Sequence, residues 1–292
     1  MRVLIAGAGG QLGRALTAAA PAGHVVKACT RAELNIAEEA AVRAVFADFA
    51  PELVVNAAAF TRVDDAERDP EAARRANATG PAVLAAACRT SGAWLTHVST
   101  DFVFDGRQSH PYDTGARAAP LSVYGRTKLA GEAAVRAELG ERCAVVRASW
   151  LYSAAGGFAA RMLTLMRSRP ELRVVSDQVG APTHATGLAG ALWALSARRA
   201  AGLWHWCDSG VASWYDFAVG VAEEGVRAGL LARAPPIVPI GTADYPTAAP
   251  RPAYSVLDKR ATEQLLKVSA PHWRVALRAT LAAAGAGGGA PP

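Results

Sequence analysis

The apolar positions of the chain fall into two alternating rhythms. Short continuous runs recur at "RVLIAG" (2–7), "HVVKAC" (24–29), "ELVVNAAA" (52–59), "WLTHVST" (94–100) and "CAVVRAS" (143–149). They are too short for helices and show little polar alternation, which is the pattern of strands buried on both faces of a parallel sheet. Between them lie longer stretches with apolar residues spaced three and four apart: from the first glycines to about Ala20, over 37–50, within 69–92, and from "PLSVYGRTKLAGE" (120–132) to about Gly140. That spacing predicts helices with one core-facing side. Strand and helix alternate over about 150 residues. The alternation predicts an α/β fold, a doubly wound parallel sheet of Rossmann type with right-handed crossovers.

Beyond Trp150 the alternation becomes irregular. Helical patterns lie at 158–168, 187–197 and 213–231, and Ser213 is the expected N-cap of the last. Strand-like runs lie at 172–178 and 235–240, a Pro-rich loop at 245–258, and a last helix begins near Pro271. The segment "AAAGAGGGAPP" (282–292) has the composition of a disordered tail. The expected division is residues 1–149 with about 172–200 in the sheet domain, and about 150–171 with 201–281 in a smaller α/β portion.

Composition narrows the picture. The chain has 292 residues, 51% of them hydrophobic, yet no apolar run approaches the length of a membrane span. The amino terminus turns from a short apolar run directly into glycines, without the longer stretch and cleavage site of a secretory signal. Cys29, Cys88, Cys143 and Cys207 are far apart and form no CxxC pair, which fits a reducing compartment and no zinc site. A cytoplasmic protein is expected. The net charge of +6 is spread over scattered basic residues, so neither nucleic acid nor membrane is an expected partner. It would suit an anionic small molecule.

The candidate chemistry begins after the first strand, at "GAGGQLG" (7–13). Gly7, Gly10 and Gly13 give G-x-x-G-x-x-G between a strand and a helix. One glycine serves the tight turn, one the approach of backbone to a pyrophosphate, and one close helix–strand packing. The second strand ends in Cys29, Thr30 and Arg31, where an acid would hold an adenosine ribose. Arg31 can instead take a 2′-phosphate, which favours NADPH while leaving NADH open. Asn35 and Ile36 fall where the chain turns towards the next helix, near an adenine.

The fourth strand runs into "VSTDFVFDG" (98–106), which puts Ser99 and Thr100 at a strand's carboxyl end, where open α/β sheets bind ligands. Tyr124 and Lys128 follow four apart, on one face of the next helix. A lone Tyr-x-x-x-Lys is usually a surface pair. After a glycine loop and a strand-end Ser-Thr, the order acquires a purpose.

The constellation resembles the extended short-chain dehydrogenase/reductase family and, within it, the dTDP-4-dehydrorhamnose reductase family. The stretches that carry the likeness are "GAGGQLG", "NAAAFTRVDDAE", "VSTDFVFDG", "PLSVYGRTKLAGE", "VRASWLY", "SDQVGAPT" and "YPTAAPRPAYSVLD", spanning residues 7 to 258. The resemblance implies NAD(P)H-dependent reduction of the C4 ketone of dTDP-4-dehydro-L-rhamnose. Tyr124 would donate the proton, with its pKa lowered from about 10 by Lys128 together with the positive nicotinamide of the oxidised cofactor. Lys128 would also hold the nicotinamide ribose, and Thr100 the ketone oxygen. Asp101, Trp150 and Arg251 would contact the substrate, Arg251 by pairing with its diphosphate. Gly10, Gln11 and Leu12 would line the pyrophosphate, and Ala59, Phe60 and Thr61 would flank the cofactor. Asn77 would help order the site. Trp150 reads equally well as a junction aromatic, and Arg251 as a solvated one. A homodimer is compatible with the likeness. The magnesium bridge described for some relatives is not expected, because neither "GRALTAAA" nor "PTHATGLAG" offers a carboxylate. Two other readings stay open: a reductase of another nucleotide-linked 4-keto-6-deoxyhexose, and a non-catalytic nucleotide-binding regulatory subunit of the same fold.

Overall fold

The computed structural model describes residues 1–286. Five of the apolar runs form strands β1 (Arg2–Ala6), β2 (Val25–Cys29), β3 (Leu53–Asn56), β4 (Trp94–Thr100) and β5 (Cys143–Ala148). They pair in parallel in the spatial order β5-β4-β3-β1-β2, and strand Gly202–Trp206 adds beside β5 to give six. In β1, Val3 and Ile5 face one core and Leu4 and Ala6 the other. A two-residue period is therefore present, but both faces are covered, so it shows as a continuous apolar run. One face carries helix α1 (Gln11–Ala18) and helix Ala185–Ala197, locked by the Trp193 indole N–H on the Leu16 carbonyl at 3.1 Å. The other carries α2 (Glu39–Phe49), helix Gly80–Ser91 and helix Val123–Leu139.

Chain order reverses at β1, which has β2 on one side and β3 on the other. This is the switch point at which a crevice opens along the carboxyl ends of the strands. Gly7, Ala57–Phe60 and Ser99–Asp101 all emerge there, from β1, β3 and β4.

The remaining segments form a cap with its own core of Tyr152, Leu163, Phe217, Val221, Trp273 and Leu277. Its helices are Gly157–Ser168, Trp214–Arg227 and Trp273–Ala286. Ser213 does cap its helix, in a reciprocal capping box with Asp216. No helix among the described residues is long and apolar enough to cross a membrane.

Three expectations are corrected. Leu172–Val175 does not belong to the main sheet; it pairs with Ile237–Ile240, and Gly202–Trp206 takes the sheet position instead. Arg173 is exposed while its neighbours are buried, so the segment has only one covered face and fits a small outer pair. Residues 282–286 are helical, because Leu281 is buried and Gly285 sits against the Ala228 carbonyl, where a Cβ would come within 2.2 Å. Alanine-rich composition favours helix once such packing exists. Residues 287–292 of the expected tail lie outside the described residues. The helix expected over 69–92 is realised as Pro70–Arg74 and Gly80–Ser91 joined by a π-helical turn at Arg75–Thr79.

Candidate active site

A cavity of about 920 Å³ runs along the switch point and reaches into the cap. Of the seventeen site residues predicted from the sequence, sixteen line it: Gly7, Gly10, Gln11, Leu12, Arg31, Asn35, Ile36, Ala59, Phe60, Thr61, Thr100, Asp101, Tyr124, Lys128, Trp150 and Arg251.

At one end lies the glycine loop. Gly7 has φ +85°, and a Cβ there would fall 2.6 Å from the Ala58 nitrogen. The Gly7 and Ala8 N–H groups both donate to the Cys29 carbonyl at 2.9 Å, tying the loop to the end of β2. Gly10 is the N-cap of α1 and offers no side-chain acceptor, so the helix's first N–H groups stay free for an anion. Gly13 is the exception to the prediction. It does not line the cavity but lets α1 lie on the loop, since a Cβ would be 2.2 Å from the Gly7 carbonyl oxygen. Arg31 is exposed at the rim, while Glu33 turns away to accept from the Thr30 N–H and hydroxyl at 2.7 and 2.8 Å.

The wall after β3 is held from behind. Asn77, in the π-helical turn, accepts from the Phe60 N–H at 2.8 Å and donates to the Phe60 carbonyl at 3.0 Å. Such turns are frequent at functional sites. Asn56 accepts the Ala58 N–H at 3.1 Å through its carbonyl oxygen and donates to His97 Nδ1 at 3.0 Å. His97 is wholly buried and its pKa is held well below the ordinary range, first by burial and then by the Lys128 charge. It is therefore neutral and able to accept.

The centre is built by β4 and helix Val123–Leu139. Ser122 caps that helix through Gly125 N–H at 3.1 Å, and Glu67 accepts the Val123 N–H at 2.7 Å. Gly125 packs on the Phe102 carbonyl, with no room for a side chain, which brings Tyr124 beside Thr100. Lys128 is 2% exposed and donates to the Val98 carbonyl at 2.6 Å. Burial pulls its pKa down to about 8, opposed by the Glu132 charge. Tyr124 keeps part of its surface open to the cleft. Burial of its hydroxyl pushes the pKa up to about 12, eased by a hydrogen bond with Thr100 and increased by the Asp101 charge. Desolvation thus outweighs the Lys128 charge at the Tyr124 hydroxyl here, and the expected lowering draws also on the positive nicotinamide of the oxidised cofactor.

Asp101 is 2% exposed. It accepts from the Ser255 hydroxyl at 2.6 Å and the Thr100 hydroxyl at 3.1 Å. Burial raises its pKa to about 7 against those hydrogen bonds. Arg251 is also not free: it is paired with Asp64 at 2.7 Å and donates to the Ala249 carbonyl at 3.1 Å. Asp64 holds the same loop through the Ala249 N–H at 3.0 Å. Trp150 sits where the cap meets the cavity. It lines the cavity and stacks on Trp214 at 3.5 Å and 4°, with a left-handed φ of 43°.

Several contributors were not found in the sequence. Trp214 is a second aromatic lining residue; its segment read only as a capped helix. Ser255, in the Pro-rich loop, reaches Asp101 only through the fold. Glu132 and Arg147 form a buried pair behind Ser99, and only the lack of an obvious solvent face at Glu132 could have marked it.

A parallel sheet with a glycine turn at its switch point, and a Thr/Tyr/Lys group at the ends of β4 and the following helix, define an extended short-chain dehydrogenase/reductase. The comparisons with known proteins narrow this. Residues 1–285 match the family described as "RmlD substrate binding domain". The dTDP-4-dehydrorhamnose reductase of Mycolicibacterium smegmatis is 40% identical over 293 residues, covering 97% of this chain and 85% of that one. The spore coat polysaccharide biosynthesis protein SpsK of Bacillus subtilis is 39% identical over 280 residues, 95% of each. The crystal structure of dTDP-4-dehydrorhamnose reductase from Bacillus anthracis in complex with NADP superposes with a TM-score of 0.89 at 32% identity, covering 96% of this chain and 98% of that one. The chain belongs to the RmlD substrate binding domain family.

Proposed function

We propose that the protein reduces the C4 ketone of dTDP-4-dehydro-L-rhamnose to give dTDP-L-rhamnose, with NADPH as reductant. The observation that carries this is the convergence of Thr100, Tyr124 and Lys128 in one cavity with the glycine loop and Arg31, in a chain about 40% identical to reductases of that name. The residues present fit the cofactor. The uncapped start of α1 and the side-chain-free face of Gly7 make a cradle for the pyrophosphate. Arg31 at the rim suits a 2′-phosphate.

When bound, the cofactor supplies hydride to the ketone carbon. Negative charge then grows on the ketone oxygen, and the chain's own groups meet it. Thr100 and Tyr124 hold that oxygen, and Tyr124 gives the proton. A pKa near about 12 keeps the phenol protonated at neutral pH, ready to donate to a developing alkoxide. Lys128 would hold the nicotinamide ribose through the ammonium donors not used on the Val98 carbonyl. Trp150 and Trp214 form the aromatic wall for the sugar, and the cap segments around the cleft cover the nucleotide. The presence of Thr100, Tyr124 and Lys128 together in one cavity argues against a non-catalytic regulatory subunit. The four free cysteines, all buried, support a cytoplasmic setting. The homodimer is carried as a further expectation, checked by light scattering.

The test is NADPH oxidation with dTDP-4-dehydrorhamnose. Wild type turns over, and Tyr124→Phe loses on the order of 10²–10⁴ in kcat. No turnover, or unchanged turnover in the variant, overturns the reading.

A further inference from the structure

The left-handed φ of 43° at Trp150 is one that a bulky side chain keeps only where its surroundings fix it. What fixes it is a clamp with two jaws. On one face lies the Trp214 ring, 3.5 Å away and within 4° of parallel, so the two overlap almost fully. On the other lies the Gly180 backbone. A Cβ at Gly180 would fall 2.5 Å from Trp150 Cε2 and 2.7 and 2.8 Å from the adjoining Nε1 and Cζ2. An approach nearest the fused-ring carbon, with both outer neighbours further off, comes down on the ring face and not along its edge. The jaws are tied together, because Val179–Gly180 pairs antiparallel with Ala212–Ser213, the residues just before Trp214. Trp214 is in turn tethered. Its indole N–H donates to Gln178 Oε1 at 3.2 Å, and Gln178 Nε2 donates to Thr242 Oγ1 at 3.0 Å. The Thr242 hydroxyl donates to Asp177 Oδ1 at 2.6 Å. An indole nitrogen only donates, and the Thr242 proton is committed to a carboxylate, so a single orientation of the Gln178 amide satisfies both. Gln178 is 8% exposed and does not line the cavity.

With both faces covered, Trp150 has only its edge left for the cavity that it lines. That edge carries a donor. The indole N–H groups of Trp94, Trp193, Trp204, Trp214 and Trp273 all donate inside the protein. That of Trp206 is buried without a partner, whereas the Trp150 N–H has no acceptor among the described residues and is not sealed off. We infer that Trp214 and Gln178 are positioning residues for the sugar: they clamp Trp150 so that it meets a sugar oxygen with its N–H edge, and not the sugar ring with its face. The inference rests on the reductase reading above, which supplies the sugar nucleotide. The consequence is directional. An open indole face accepts many sugars, whereas a fixed N–H calls for an oxygen at one place and disfavours a ligand that has none there. Without the Gln178 tether Trp214 is free to tilt, Trp150 follows, and the donor swings off its acceptor.

The test is calorimetric binding of dTDP-L-rhamnose and of dTDP to the full chain with NADPH present, a mixture that holds no ketone to reduce. Wild type is expected to bind dTDP-L-rhamnose more tightly than dTDP. Trp150→Phe keeps a ring and removes the N–H. Trp214→Phe keeps a stacking ring and removes the tether, and Gln178→Met keeps the length and removes the acceptor. Each is expected to lower dTDP-L-rhamnose affinity by about tenfold while dTDP and NADPH affinities hold. A merely structural role would weaken all three ligands together. Equal affinities of wild type for dTDP-L-rhamnose and dTDP, an undiminished difference in Trp150→Phe, or losses shared by dTDP overturn the inference. Near-ultraviolet circular dichroism without ligand reads the clamp itself. Gln178→Met is expected to lose indole signal with its far-ultraviolet spectrum intact, and an unaltered near-ultraviolet spectrum overturns the role of Gln178. Wild-type protein that binds neither nucleotide overturns the reductase reading, and the near-ultraviolet comparison still decides the clamp.

Discussion

Glu132→Gln is expected to destabilise the protein by more than any surface change. Glu132 and Arg147 have side chains 3% and 4% exposed. They meet as two parallel hydrogen bonds of 2.9 and 2.7 Å, with Ser99 donating to the same carboxylate. The guanidinium also lies 5.1 Å over the Phe104 ring, and its remaining nitrogen has no partner. Glutamine keeps the volume but removes the charge, leaving a buried cation uncompensated. Removing one partner of such a pair costs about 3–5 kcal/mol. For a chain of this size that lowers Tm by roughly 10 °C. The assay is thermal unfolding followed by circular dichroism. Glu132→Leu combined with Arg147→Met, which removes both charges at similar volume, is expected to recover most of the loss. There is a second consequence. Glu132 is the charge that supports the Lys128 ammonium, so its loss moves the Lys128 pKa further below about 8. NADPH affinity, read by fluorescence, should then fall off at a lower pH than in wild type. A Tm within about 1 °C of wild type, or a double variant no better than Glu132→Gln, would refute the buried-charge argument.

Arg31→Glu is expected to lower kcat/KM with NADPH by about tenfold more than with NADH; equal losses would remove Arg31 from cofactor selection. Asp208 is 1% exposed, and burial raises its pKa to about 7. Its folded form favours the proton, so its stabilising contribution is complete below the ordinary value near about 4 and is lost as pH rises through about 7. Asp208→Asn should flatten that decline in urea unfolding midpoints, and an unchanged slope would count against it. Dialysis against EDTA is expected to leave kcat unaltered; a collapse reversed by Mg²⁺ would show that carboxylates outside the two segments considered hold a metal.

Much of the site was legible because its parts are local. A glycine that needs φ +85°, a cap residue and a Tyr–Lys pair one turn apart are each written within a few residues. The five apolar runs were legible for the same reason. Strand Gly202–Trp206 was not, since "GLWHW" includes a wholly buried histidine and no unbroken apolar run. Leu172–Val175 was read as a strand but assigned to the wrong sheet, because a period does not name a partner. The tail was read from composition, which cannot register that Gly285 packs on Ala228.

The sequence by itself determined the α/β alternation, the nucleotide loop and the positions of Thr100, Tyr124 and Lys128. Only the tertiary structure decided what those groups experience. Ser255 reaches Asp101 across 154 residues, Arg251 meets Asp64 across 187, and Trp214 lies flat against Trp150. The direction of the Tyr124 shift belongs to the same category. Spacing along a helix places a lysine near a phenol, but the pKa follows from how much water each has lost and where the ammonium points, and both are properties of the packed molecule.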